Sequence, residues 1–387
     1  MNLLKLKDCC TIIAGQSPES KYYNTEGEGL PFFQGKADFG ELYPTVRVYC
    51  SQPTKIAEKD DILLSVRAPV GPTNLSPGKV CIGRGLTAIR PSDKLLLKYL
   101  LYYFRYFEAQ LQQKGTGTTF KAITQDVIKN LEIPVVSLSE QERIIARIEE
   151  LFSQLDKGVE TLQKTKQQLA VYRQAAISSA FPQLNQNGWK RLDEIAEIIG
   201  GITKGRNLEG QDTIELPYLR VANVQNGYLD LSEIKTIVLK KTEKEKYLLK
   251  YGDVLYTEGG DRDKLGRGTV WKNEIEECIH QNHVFKARLD KTQALPEYVA
   301  YWSMSTFARN YFYAKGKQSV NLASINKSVL SALTLPVPSL VEQRQVITDI
   351  KERLSVCESI ENTIDIALQQ AEAMRQSILK QAFEGRL

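Results

Sequence analysis

Two octets, Pro134-Val135-Val136-Ser137-Leu138-Ser139-Glu140-Gln141 and Pro336-Val337-Pro338-Ser339-Leu340-Val341-Glu342-Gln343, decide how this chain folds. They lie 202 positions apart, and at that offset 120–181 falls on 322–383 with 20 identities in 62 ungapped columns. Chance gives about one match in fifteen to twenty, so the chain is an internal duplication. Outward from the octets the match loosens but persists. LKDCCTIIAG (6–15) lies on LDEIAEIIGG (192–201), Leu30-Pro31-Phe32 on Leu216-Pro217-Tyr218, Asp61-Ile62-Leu63 on Asp253-Val254-Leu255, and Cys81-Ile82 on Cys278-Ile279. The offset drifts from 186 to 202, so the copies differ by loop insertions. A shared frame with divergent loops lets one scaffold present two binding surfaces.

Each octet leads into a helix. Ile145, Ile148, Phe152, Leu155, Val159, Leu162, Lys166, Leu169, Arg173, Ala176 and Ala180 follow a 3-4 spacing. The second copy repeats it with Ile347, Ile350, Leu354, Cys357, Glu361, Ile364, Leu368, Ala371, Arg375, Ile378 and Ala382. About 41 residues at ~1.5 Å each make a rod of ~60 Å. Ser139 and Glu142 are spaced as an N-terminal capping box. One long helix with an apolar stripe can pack on its own domain. Two matched stripes in one chain predict that the rods pair, with Lys166, Arg173, Glu361 and Arg375 on the seam fixing register.

The rest of each copy is cut by Gly, Pro and Asn into short runs such as DDILLSVRA, KVCIGRGLTAIR, GDVLYTEGG and HVFKARL, which read as strands. A helix closes each one, near 94–113 and near 295–313. Tyr99, Tyr102, Tyr103, Phe104, Tyr106 and Phe107 on the former suit core packing better than stacking on bases. The fold class is therefore α+β: mainly β domains over 1–133 and 183–335, and long helices over 134–182 and 336–387.

The chain has 387 residues, 42% hydrophobic and 25% charged, the balance of a globular protein. No apolar run approaches the ~18 residues of a membrane span. The first residues make a poor signal peptide, and six scattered cysteines make no disulfide framework. A cytoplasmic setting is expected. Net charge is +5. Segment 139–181 is neutral and 341–384 carries −3, so the globular parts hold the basic excess.

No catalytic constellation emerges. The two histidines, His280 and His283, form C-x-H-x-x-H with Cys278, but the first copy has Cys81-Ile82-Gly83-Arg84 there, so a strand edge is the better reading and no metal site is expected. Asp212 with Glu233 and Lys235 is a nuclease-like spacing common by accident. Gly115–Thr119 and Gly259–Arg262 can cradle phosphate or simply turn. The positive signals are loop side chains of the types that read base edges and grip phosphates. They are Gln34, Lys36, Arg47, Arg67, Arg84 and Lys121 in the first copy, and Arg220, Asn223, Gln225, Arg262, Lys264, Arg267, Lys317, Gln318 and Asn321 in the second.

Gly15-Gln16-Ser17-Pro18, LPFFQGKADF (30–39), DILLSVRAPVG (61–71) and CIGRGLTAIRP (81–91) resemble the specificity subunits of type I restriction–modification systems. So do IPVVSLSEQERI (133–144), LPVPSLVEQRQVI (335–347) and ILKQAFEGRL (378–387). The resemblance covers essentially the whole chain, although the second copy's loops after GDVLYTEGGDRDKLGRG are individual. It implies two target-recognition domains, similar to the DNA-recognition domain of adenine-N6 methyltransferases, and two helices paired as an antiparallel coiled coil. It implies binding to a bipartite, asymmetric site on double-stranded DNA, with no catalysis and no cofactor in this chain. Two modification subunits would bring S-adenosylmethionine chemistry, and two restriction subunits would use ATP and Mg²⁺. The rods would then act as a ruler between half-sites. Two alternatives stay open: service to a fused methylase–nuclease partner, and a protein-binding coiled-coil scaffold.

Overall fold

The computed structural model describes residues 2–115, 122–181, 188–318 and 323–387, with only the backbone of Asp263 and Gln318. The chain forms two compact units, one of Met1–Leu162 with Ile366–Leu387, the other of Gln163–Asp365.

In the first unit the run Ile62–Ser65 is buried along its whole length. It lies inside a four-stranded antiparallel sheet ordered Cys10–Ala14, Leu86–Pro91, Ile62–Ser65, Thr73–Leu75. A strand covered on both faces must be apolar at successive positions. Ile62 and Leu64 face a core containing Leu6, Tyr99, Leu100 and Phe104. Leu63 faces the opposite core, with Phe33, Ile82 and Ala88. That second core is closed by Leu30–Phe33, which runs parallel to Val80–Ile82. The aromatic helix Leu97–Lys114 covers the first core. Its tyrosines pack as expected: the Tyr99 and Tyr103 hydroxyls donate to the Pro134 and Glu132 carbonyls at 2.9 and 2.7 Å.

The second unit repeats the sheet with Ala196–Gly200, Val284–Leu289, Val254–Thr257 and Gly268–Val270 in the same order. Thr213–Leu219 runs parallel to Ile279–His280, as Leu30–Phe33 does to Val80–Ile82. The helix expected near 295–313 is two helices, Pro296–Met304 and Thr306–Lys315. Ser305 breaks it, because its hydroxyl accepts from Ala308 N at 3.3 Å and caps the second piece.

The long helices are Leu138–Ser179 and Leu340–Phe383. The capping pair is not Ser139 with Glu142. The helix starts at Leu138, so Ser137 is the cap, and its Oγ accepts from Glu140 N at 3.3 Å. The second copy completes the box: Ser339 Oγ accepts from Glu342 N at 3.4 Å and Glu342 Oε2 from Ser339 N at 2.9 Å. The next residue explains the octets. Buried Gln141 accepts from Leu96 N at 2.8 Å and donates to the Lys94 and Val136 carbonyls at 2.9 Å. Gln343 does the same with Leu295 N, Gln293 O and Pro338 O. Each glutamine bolts its helix to its domain.

Each unit also holds the end of the other copy's helix. Ile378, Leu379 and Phe383 join Ile144 and Ile148 in the first core, where the Phe383 ring meets Tyr99 at 5.2 Å. Ile177 and Phe181 join Ile347 and Ile350 in the second, where Phe181 meets Tyr298 at 5.3 Å. In the first unit Asp156 pairs with Arg375, and Arg143 donates to the Leu387 carbonyl. In the second, Lys166 pairs with Asp365 at 2.5 Å and Arg173 with Glu361 at 2.9 Å. Partner numbers fall on one helix as they rise on the other, so within each unit the helices are antiparallel. The expected seam charges thus meet opposite charges. Such partly exposed pairs are worth ~0–1 kcal/mol each; the apolar stripe supplies the stability and the charges fix register.

Candidate nucleic-acid interface

Four of the expected residues come together in the first unit. Gln34, Lys36, Arg67 and Arg84 line a cleft of about 610 Å³ whose floor includes Ala37, Ala68 and Pro69. Three loops build it: the one after Leu30–Phe33, the one after Ile62–Ser65, and the three-residue turn Gly83-Arg84-Gly85. The glycines allow a close backbone approach. A Cβ on Gly85 would lie 2.2 Å from the Gln34 carbonyl oxygen, and one on Gly83 2.8 Å from Gln34 Cγ. Arg84 is thereby seated beside Gln34. Ser17, from Gly15-Gln16-Ser17-Pro18, lies behind both and accepts from Arg84 N at 3.3 Å. On the opposite wall Arg67 is held by a backbone bridge to Ala122. Among the described residues no hydrogen bond or ion pair engages the side chains of Lys36, Arg67 or Arg84. Exposed cations without a direct protein contact, over an apolar floor, suit an acceptor-rich ligand. Arg47 is different: it pairs with Asp38.

In the second unit Arg220, Asn223, Gln225, Arg262, Lys264 and Arg267 are engaged internally. Arg220 donates to the Glu233 carbonyl at 2.8 Å and to its carboxylate at 3.1 Å. Asn223 is buried, and its amide is taken up by Arg220 N, Asp230 O and Glu233 O, so it shapes the loop. Gln225 donates to Ala222 O and accepts from Arg267 at 3.0 Å. Arg262 stacks on the exposed Tyr313 ring, 4.3 Å from its centroid, and Lys264 pairs with Asp261. Lys317 is exposed on the short strand Lys317–Gln318. Lys121, Asn321, the Gln318 side chain and 116–119 lie outside the described residues.

The residues of C-x-H-x-x-H diverge. Cys278 Sγ donates to Ile279 O, and the buried His280 ring donates through Nδ1 to Val284 O at 2.6 Å. His283 meets Glu258 Oε2 at 2.6 Å. Burial pushes the His280 pKa down to about 4. Lys286 is also buried, which pushes its pKa down to about 8; it donates to the Lys246 and Leu248 carbonyls at 2.8 Å. By register these two stand where the first unit has Ile82 and Ala88. Sequence reading did not place Ser17 against Arg84 or Glu258 against His283. The Gly15-Gln16-Ser17-Pro18 motif contained the first, but only the copy-to-copy alignment of loops could point to the second.

The fold defines a chain of two like domains, each leading into a long helix. The model of the family described as type I restriction modification DNA specificity domain matches 1–170 and again 186–370, and the chain belongs to that family. The MjaX type I restriction enzyme specificity subunit of Methanocaldococcus jannaschii is 43% identical over 159 residues, covering 41% of this chain and 36% of that relative. That match spans about a third of the relative's length. The StySPI specificity subunit of Salmonella potsdam is 24% identical over 373 residues, 91% of this chain and 80% of its own. Among solved structures, a chain from work on assembly and conformational transition of the type I R-M system superposes with TM-score 0.70 at 18% identity, covering 100% of this chain and 98% of that one. The HsdS subunit from Thermoanaerobacter tengcongensis gives 0.53 at 18%, covering 100% and 97%. Both are likenesses of fold. The family is named for DNA specificity rather than for a reaction. Among the described residues no helix is long and apolar enough to cross a membrane.

Proposed function

We propose that this chain is the DNA-recognition subunit of a type I restriction–modification complex, each unit reading one half of a bipartite, asymmetric duplex site. The observation that carries this reading is the first unit's cleft, where Lys36, Arg67 and Arg84 face solvent beside Gln34 without a protein acceptor. DNA supplies what they lack: phosphate oxygens for positioning and base-edge acceptors for specificity. The duplicated frame with divergent loops supports two independent readers. The chain recruits two modification and two restriction subunits in the cytoplasm, and S-adenosylmethionine, ATP and Mg²⁺ act on those partners. The similarity to relatives named as specificity subunits, and to a chain from the type I R-M system, supports this.

The test is to express the chain with its modification partners and map methylated adenines across a genome. A bipartite motif is expected, and exchanging 1–133 for that of another family member should change one half only. Methylation with no motif, or both halves changing together, would overturn the reading.

A further inference from the structure

The two units carry opposite charges at neighbouring positions around the same turn. Backbone hydrogen bonds fix the correspondence. Val66 N donates to Gly85 O at 2.9 Å, and Glu258 N to His283 O at 2.9 Å. Ile123 N donates to Val66 O at 3.0 Å, and Ile325 N to Glu258 O at 2.8 Å. Glu258 therefore stands where Val66 stands, and Gln281-Asn282-His283 replaces Gly83-Arg84-Gly85.

In the first unit this place offers donors. Arg84 sits at the apex of its turn, and a guanidinium has five N–H groups and no acceptor. In the second unit Asn282 stands where the arginine stood, and the partly exposed Glu258 carboxylate adjoins the same turn through His283. His283 Nδ1 donates to Oε2 at 2.6 Å, which orients the group. Among the described residues no donor meets the other oxygen. A carboxylate on a DNA-facing surface is repelled by phosphates, so a base-edge amino group is the partner that compensates it. Guanine offers N7 and O6 to an arginine, and cytosine offers its N4 amino group to a glutamate.

We propose that Arg84 reads a guanine in the first unit's half-site and that Glu258 reads a cytosine amino group in the second unit's half-site. This rests on the DNA-recognition reading above.

The test uses the full-length chain and bound duplexes selected from a random pool, followed by single-atom changes in the selected site. 7-Deazaguanine, which lacks N7, should weaken wild-type binding about 5- to 150-fold at one position of one half-site. It should cost R84A nothing further. 2-Pyrimidinone, which is cytosine without its amino group, should do the same in the other half-site for wild type and not for E258A. Each variant should keep its preference in the untouched half-site, which shows that it is folded. Should a variant fail to fold, Arg84→Lys or Glu258→Gln, which keeps size and polarity, takes its place in the same comparison. A half-site without a G·C pair, no loss in wild type, or equal losses in wild type and variant would overturn the assignment. A wild-type chain that selects no sequence at all would instead remove the DNA-recognition reading beneath it.

Discussion

Asp61 and Arg90 face each other across neighbouring strands, Oδ1 accepting from Nε at 2.7 Å and Oδ2 from Nη2 at 2.8 Å. The carboxylate is buried while the arginine keeps one side in water. Asp61 also accepts from Glu58 N at 2.8 Å, so it ties a turn to the sheet. Asp253, Arg288 and Lys250 N repeat the arrangement. Removing a buried partner of this kind costs roughly 3–5 kcal/mol, and less where the remaining ion can reach solvent. Asp61→Ala should therefore lower stability by about 2–4 kcal/mol in denaturant unfolding. An unchanged midpoint would mean that the turn holds without it.

Gln141→Ala would strand Leu96 N and the Lys94 and Val136 carbonyls. Unpaired buried groups cost ~1–3 kcal/mol each, so a loss of about 3 kcal/mol or more is expected. Gln343→Ala should cost the second unit a similar amount. Hydrogen exchange at Leu96 and Leu295 separates the two effects: each variant should speed exchange at its own amide only.

His280 makes the second unit sensitive to acid. Its folded pKa of about 4 lies below the ordinary 6.5. The unfolded chain therefore takes up a proton that the folded chain refuses, and stability falls as pH drops from about 6.5 to about 4. The full effect is on the order of 3 kcal/mol. Lys286 acts with the same sign in alkali, stability rising from about pH 8 toward the ordinary lysine range. His280→Ile, the first unit's residue at this place, should flatten the acid limb. A melting-temperature profile identical to wild type between pH 4 and 7 would assign acid sensitivity elsewhere.

Lys36, a compact charge at the cleft edge, suits phosphate. Lys36→Ala should reduce the salt dependence of DNA affinity by about one unit of slope, across all sequences. In the second unit the expected change runs the other way. Glu233→Gln removes the carboxylate that holds Arg220, so affinity should rise and the slope should steepen. If it does neither, Arg220 faces no phosphate.

The duplication, the paired rods and the seam charges were legible because periodicity and identity at a fixed offset survive without knowledge of the loops. The cap position was misplaced by two residues because Ser137 and Ser139 satisfy the same spacing rule, and only the helix start distinguishes them. The cleft was legible only as residue types. Residue type singled out Arg67 and Arg84 together with Arg220 and Lys264, and could not separate exposed from paired cations, because pairing depends on acidic neighbours such as Glu233 and Asp261. The place of Glu258 was not legible, because its pairing with His283 depends on a turn whose sequence differs between the copies.

The division of the chain has a consequence for its birth on the ribosome. The second unit is one unbroken stretch, Gln163–Asp365, whereas the first needs Ile366–Leu387 to complete its core. The domain translated first is therefore finished last. While the second half emerges, Tyr99 and Tyr103 wait without the Phe383 ring that finally covers them. A released chain ending at residue 365 should hold a protected second unit and a protease-sensitive first one, the reverse of the order in which they were made.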